Sequence, residues 1–400
     1  MLLSLAWMIV FGMIGYGIFK VLKLPGLLGM LLAGIALGPE GLNLIDQTVL
    51  AISGDLRTVA LIVILYRAGL GLNKAALKET GKTAGLLSVV PVVLEGVVVL
   101  ALAVWLLGFG WAEAGVLGFV IAAVSPAIIV PSMLELMRKG RGMRRKVPVL
   151  VLAAASVDDV VAITLVSVFL GAALGRTQIG WYSVLTVPMS MVLGIAMGLL
   201  VGLLLLALFR RFRQRDSRKV ITLLAAGILL VSFGEYVESV VMIAPLLSVM
   251  VIGVVMVERH PALGVRLAAK LDKVWVFTEL VLFVLVGAAL DLRVLLDVGL
   301  IGSLIVFAGL TARFVAVWLA TLGSGLQSKE RLFIGVAFMP KATVQAAVGA
   351  LPLSLGMARG DTVLALSVLA IVITAPLGAI GIAKLHPWLL DIASPPEETV

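Results

Sequence analysis

Two carboxylates stand side by side in Ala155-Ser156-Val157-Asp158-Asp159, and apolar sequence flanks the pair on both sides. Neighbours on a helix point about 100° apart, so Asp158 and Asp159 cannot face one cavity equally. One can meet an ion path while the other meets a protein partner. Taking a carboxylate out of water favours its neutral form, and a nearby cation restores the charge. Such a group holds either a proton or a hard cation, but not both well. This competition is the chemistry of exchange: a cation arriving from one side expels a proton, and the reverse occurs on the other side. Oxygen ligands suit sodium-like ions. Ser125, Ser156 and Thr343 are candidate lining groups, together with backbone carbonyls wherever a helix is unwound. The plainer reading of the pair is a helix cap, which the apolar flanks argue against.

Five further charges fall within or near apolar stretches. Glu95 lies in Pro91-Val-Val-Leu-Glu95-Gly96, and Arg313 lies in Gly309-Leu-Thr-Ala-Arg313. A charge at membrane depth costs at least a few kcal/mol, so each calls for a partner. They could satisfy each other, and a buried pair of this kind fixes an arrangement rather than adding much stability. Alternatively, Arg313 faces Asp158 and is released when that carboxylate takes up a proton. Lys341 follows Met339-Pro340 and precedes Thr343 and Gln345. It could neutralise the carbonyl end of a half-helix, or its stem could snorkel to the interface. Glu279 reads as an interface residue near the cytoplasmic end of its span, and Arg67 as a snorkelling residue in the outer part of its own.

The elements that carry these residues follow from composition. Of 400 residues, 62% are apolar and 13% charged, against about 45–50% and about 25% in soluble domains. A soluble enzyme, a disordered chain and a nucleic-acid-binding protein are therefore excluded. The charge of +9 is that of cytoplasmic loops. There is no cysteine and there are two histidines, His260 and His386, so thiolate and imidazole metal sites are not expected. No cofactor is expected either. A spanning helix needs roughly 20 apolar residues. Thirteen candidates run at 3–21, 25–39, 57–73, 83–107, 112–137, 146–174, 182–209, 218–234, 239–257, 274–291, 295–322, 331–354 and 362–386. The first lacks the basic start and small-residue cleavage site of a signal peptide and reads as a retained span. Odd-numbered loops and the tail carry 24 Lys and Arg residues, and even-numbered loops carry four. The positive-inside rule then puts the N-terminus outside and the C-terminus in the cytoplasm.

The expected fold is an all-α polytopic membrane protein with about 13 transmembrane helices. Ser125-Pro126 and Val130-Pro131 interrupt span 5, and Met339-Pro340 and Leu351-Pro352 interrupt span 12. Proline removes a backbone donor and breaks a helix. The two interrupted spans are seven apart, as are the spans carrying Glu95 and Arg313. This predicts inverted repeats, with repeat one at about 1–174, a linker helix at about 182–209, repeat two at about 218–386, and a short cytoplasmic tail at 387–400. Paired broken helices point to a transport site. No phosphate loop of the G-x-x-x-x-G-K-[ST] type occurs, so an ion gradient rather than ATP is the expected drive. With ten residues after Leu390, no regulatory nucleotide-binding domain is expected there. A K⁺/H⁺ exchanger of the same fold and a sodium-coupled organic-acid symporter are the nearest rivals. The symporter would need a larger polar cavity with anion-binding groups. An ion channel and a structural scaffold are disfavoured by the carboxylate pair and the membrane charges.

At these residues the sequence resembles the monovalent cation/proton antiporters. Val124-Ser-Pro-Ala-Ile-Ile-Val-Pro131-Ser-Met is similar to their crossing, unwound helix, and Ala155-Ser-Val-Asp158-Asp159-Val-Val-Ala-Ile-Thr164 to their two-aspartate helix. Pro340-Lys-Ala-Thr-Val-Gln-Ala-Ala347 resembles the matching broken helix of the NHA branch, which includes animal sodium/proton antiporters. The likeness runs from Lys23-Leu-Pro-Gly and Leu37-Gly-Pro to Thr374-Ala-Pro376. It implies a core ion-carrying domain moving like an elevator, a dimerisation domain, and a homodimer in the inner (plasma) membrane that exchanges Na⁺ or Li⁺ for H⁺. It also implies that Asp159 is the main ion and proton carrier. Asp158 would pair with a basic residue of a later helix, at the place of Arg313. Many two-aspartate relatives carry lysine there. An arginine is always charged and a poor proton carrier, which favours one proton per cation.

Overall fold

The computed structural model describes residues 1–71, 74–175, 183–212, 214–237 and 243–392. Among them the architecture is helical throughout. The chain opens with α1 (Leu2–Val21), the short glycine-rich α2 (Gly26–Leu37), a one-turn α3 (Gln47–Ala51) and α4 (Ser53–Gly71). A long α5 (Lys74–Leu107) follows, kinked at Gly81. Gly81 takes a positive φ of 55°, which only glycine adopts without strain. Span 5 is broken into α6 (Trp111–Ala122) and α7 (Pro126–Arg138). Then come α8 (Val147–Ala173), α9 (Ser183–Arg211), α10 (Asp216–Val237) and α11 (Pro245–Arg259). The last third is α12 (Pro261–Ala288), α13 (Leu292–Ala320), a broken span made of α14 (Ser328–Ala337), α15 (Thr343–Val348) and α16 (Leu351–Ser354), and α17 (Gly360–Leu389).

Each of the thirteen expected spans corresponds to one of these helices or broken pairs. Eight are long and apolar enough to cross a membrane by themselves. The other five are short, interrupted or charged. α12 differs most from expectation. It begins at Pro261, well before residue 274, and carries Arg266, Lys270, Asp272 and Lys273 within the helix. Those charges read as a loop because they interrupt the apolar run. Yet Leu, Ala, Arg and Lys are all strong helix formers, and Pro261 at the first position suits a helix start. Arg67 also departs from expectation. It lies about 15 Å along α4 from Arg57 and pairs with Asp272 at 2.7 Å. It thus sits at the end of the bundle that carries the basic loops. Glu279 stands half-buried further along α12, within range of Arg67's charge.

The two ends of the bundle separate as the loop parity requires. At one end, Arg145 pairs with Glu330 at 2.8 Å, Arg266 with Asp216 at 2.9 Å, and Gly142 donates to the Asp391 carbonyl at 2.8 Å. These contacts join odd-numbered loops and the C-terminal segment. At the other end, the N-terminal amine meets Asp46 at 3.5 Å, and Arg359 donates to the Leu107 carbonyl at 2.6 Å. Met1 and Asp391 therefore lie at opposite ends of the bundle.

The helices pack in two groups. One holds α1, α2, α4 and α9–α12; the other holds α5–α8 and α13–α17. In the first group backbones touch. A Cβ at Gly34 of α2 would stand 2.1 Å from the Val284 carbonyl oxygen, and one at Gly287 of α12 would stand 2.1 Å from that of Leu31. Glycine is required there by contact rather than by conformation, as in other small-residue membrane interfaces. Gly34→Leu must part α2 from α12 and should cost about 3 kcal/mol or more, read as a lower melting temperature in detergent. Gly17→Ala, where nothing lies within 4 Å, should melt like the parent; equal melting of both variants would refute this packing.

Candidate functional site

The breaks in the two interrupted spans cross each other in the middle of the second group. α6 ends at Ala122, and α7 begins after Ser125. α14 ends at Ala337, and α15 begins after Ala342. Pro126 starts α7, where its missing N–H costs nothing. Pro340 lies in the other break, where it could not have continued a helix. The strands of backbone meet directly: the Ser125 amide donates to the Pro340 carbonyl at 2.9 Å.

Broken helices expose carbonyls at one end and amides at the other. Here side chains meet the carbonyl end of α6 and an amide in each break. Gln345 of α15 donates through Nε2 to the carbonyls of Val120 at 2.8 Å and Ala123 at 2.7 Å. The Ala122 carbonyl accepts from Arg313 Nη2 and from Lys341 Nζ, the latter at 3.1 Å. The Val124 amide donates to Asp158 Oδ2 at 3.1 Å. The Lys341 amide donates to Thr374 Oγ1 of α17 at 2.9 Å, and that hydroxyl donates to the Ala370 carbonyl.

The charges form one network. Arg313 of α13 donates through Nε to Glu95 Oε2 of α5 and through Nη1 to Asp158 Oδ1 of α8, at 3.1 Å. Lys341 Nζ also reaches Glu95 Oε2, at 2.9 Å. All four side chains are fully buried. Phe338 stacks near the guanidinium, with its ring centre 5.9 Å from Arg313 Cζ. The two partners weighed for Arg313 are therefore not alternatives, since its fork serves both. Lys341 does not snorkel; it caps the carbonyl end of a half-helix, and that half-helix is α6 rather than its own.

Asp159 stands apart from this network. It is 4% exposed, and its Oδ1 has no hydrogen-bond partner. Ser125 Oγ and Thr343 Oγ1 are likewise buried without a partner. These are hard oxygen atoms of the kind that a sodium-like cargo ion takes. The Ser156 side chain lies outside the described residues. Among those described, no three His, Cys, Asp or Glu side chains converge as a resident metal site would need. In the sequence Gln345 stands out only as a polar neighbour of Lys341, and Thr374 has no role. Their signal is a polar residue in an apolar span, within a turn or two of a proline.

Known proteins resemble this chain. The family model described as "Sodium/hydrogen exchanger, transmembrane" matches residues 8–386. The human sodium/hydrogen exchanger 9B2 is 34% identical over 384 residues, spanning 92% of this chain and 70% of that protein. Human sodium/hydrogen exchanger 9B1 is 32% identical, over 92% of this chain and 73% of its own length. The sodium proton antiporter MjNhaP1 of Methanocaldococcus jannaschii superposes with a TM-score of 0.83 over 96% of this chain and 97% of its own, at 20% identity. The last likeness speaks for the fold, the first three for descent, and together they make this chain a member of the sodium/hydrogen exchanger family.

Proposed function

We propose that the chain is a secondary antiporter that exchanges Na⁺ or Li⁺ for H⁺ by alternating access. The observation that carries this reading is Asp159: a buried carboxylate with an uncommitted oxygen, next to an Asp158 whose two oxygens are both engaged. Asp159 binds the cation or the proton. Asp158 shapes the site and ties α8 to the α6–α7 break. Ser125, Ser156 and Thr343 are supporting ligands or lining groups. Glu95, Arg313 and Lys341 hold the two half-helix crossings in register. The two helix groups shift against each other to present the site to either side. The division into repeat one at 1–174, a linker helix at 182–209, repeat two at 218–386 and a tail at 387–400 belongs to this reading; residues 393–400 of that tail lie outside the described residues. So do a homodimer, contact with anionic lipid, and a plasma-membrane topology with the N-terminus outside. The basic residues gathered at the C-terminal end of the bundle support that orientation.

Charge balance supports one proton per cation. The buried cluster sets three carboxylates, Glu95, Asp158 and Asp159, against two cations, Arg313 and Lys341. With every group ionised it carries one net negative charge. Either one proton or one Na⁺ brings it to neutrality, whereas none or both leave a charge in a region where charge is expensive.

The test uses proteoliposomes with an imposed pH gradient and a pH-sensitive dye. Addition of Na⁺ or Li⁺ should collapse the gradient in the parent protein, and Asp159→Asn should behave like protein-free vesicles. A K⁺ response as large as that of Na⁺ would instead support a K⁺/H⁺ exchanger. Clamping the membrane potential with K⁺ and valinomycin should leave the Na⁺-driven rate unchanged; a rate that follows the imposed potential would exclude one-for-one exchange. Glu95→Gln leaves Arg313 and Lys341 without their shared acceptor charge and should cost about 3–5 kcal/mol of stability, seen as early melting in detergent. A melt equal to the parent's would mean that this network does not hold the crossing together.

A further inference from the structure

A cavity lies away from the charge network, between the two helix groups, at the end of the bundle that carries the N-terminus. Its volume is about 670 Å³. Leu61 of α4 and Val231 of α10 line one wall; Val168 of α8 and Leu351 of α16 line the other. Arg57 of α4 is the basic side chain among its described lining residues. Arg57 is 4% exposed. Its Nε donates to the Ser53 carbonyl at 3.1 Å and its Nη2 to Ser53 Oγ at 3.4 Å, both within its own helix. Its Nη1 is buried and has no partner. The hydroxyls of Thr164 and Ser167, also in the lining, donate to carbonyls of α8 at 2.7 and 2.9 Å, and neither carries a charge to balance the guanidinium.

A buried guanidinium with a free N–H in a mostly apolar cavity is a site that lacks its acceptor. An unmet charged donor is costly, and a site of this size, apolar with a single fixed polar anchor, is the usual form of a small-molecule pocket. The remaining charges narrow the ligand. Glu40, Asp55 and Asp291 stand exposed among the lining residues. Asp291 is occupied in capping α13, accepting from the Arg293 amide at 2.8 Å. These carboxylates face water and repel a second negative charge. The geometry points to a binding site for a small amphipathic monoanion, one acidic group paired with the Arg57 guanidinium and an apolar body filling the cavity between the two helix groups. Because the occupant touches both groups, it pins them together and slows exchange; that consequence rests on the antiport reading, while binding itself does not.

Naphthalene-2-sulfonate is a suitable probe: rigid, permanently ionised and therefore unable to carry protons itself. Binding to the purified full chain is measured by equilibrium dialysis, beside the neutral naphthalene-2-sulfonamide and the dianionic naphthalene-2,6-disulfonate. The sulfonate should bind roughly tenfold or more tightly than either, as a hydrogen bond to a buried charge predicts. Arg57→Gln should erase its advantage over the sulfonamide, and Ser354→Trp, which fills the cavity from α16, should weaken both. Equal binding of sulfonate and sulfonamide to the parent protein overturns the proposal even if Arg57→Gln fails to fold. So does a sulfonate affinity that Ser354→Trp leaves unchanged. In vesicles the sulfonate should slow Na⁺-driven proton movement; binding without slowing would keep the site and remove its inhibitory role.

Discussion

A helix that breaks inside a membrane leaves amides and carbonyls that lipid cannot satisfy. This chain does so twice, at residues 123–125 and 338–342, and the rest of the site follows from answering that need. Gln345, Arg313 and Lys341 answer the carbonyls of α6, Asp158 answers the Val124 amide, and Ser125 and Pro340 join the breaks to each other. The buried charges are thus structural before they are functional. Remove them and the crossing has no reason to stay unwound. Asp159 is left outside these bonds with Oδ1 unpartnered, whereas Glu95, whose Oε1 is also unpartnered, is held through Oε2 by Arg313 and Lys341.

The helix groups around the crossing are built differently from the contact between them. Within the first group, glycines let α2 and α12 approach until backbone meets backbone, at Gly34 against Val284 and Gly287 against Leu31. Such contacts do not slide, because close-packed interfaces have discrete fits rather than continuous ones. Between the groups lies a cavity as large as a small ligand, lined by side chains from both. Two stiff bodies with a loosely filled seam are what alternating access requires. The second group can shift as a unit while its crossing, held by its own network, stays intact.

Much of this was legible in the sequence. The paired prolines marked both breaks, because proline inside an apolar span frees a carbonyl that lipid cannot satisfy. Asp158, Asp159, Glu95, Arg313 and Lys341 declared themselves as charges where charge is expensive. What stayed hidden was sharing. Read along the chain, Arg313 needed one partner and two candidates competed. In space, its planar fork meets Glu95, Asp158 and the Ala122 carbonyl at once. Lys341 looked able to reach the interface because its stem is long, but its depth is set by α15, not by its length. The α12 start is hidden because charges beside an apolar run read as loop, and the place of Arg67 is hidden because its partner, Asp272, lies 205 residues away.

The choice of arginine at residue 313 matters beyond geometry. Its three hydrogen-bonding nitrogens point in fixed directions, and each meets a different acceptor on a different element: α5, α8 and the end of α6. A lysine has one nitrogen and would have to share it among all three. Arginine also keeps its charge at every pH the protein meets, so this junction cannot come apart by losing a proton. A titrating group at that position would couple proton release to a loosening of the crossing and add a second exchangeable charge to the cycle. With arginine there, the crossing is held whatever the occupancy of the site. On the proposed reading, the charge that changes hands is then the one on Asp159, where a cation and a proton would compete for the same oxygen.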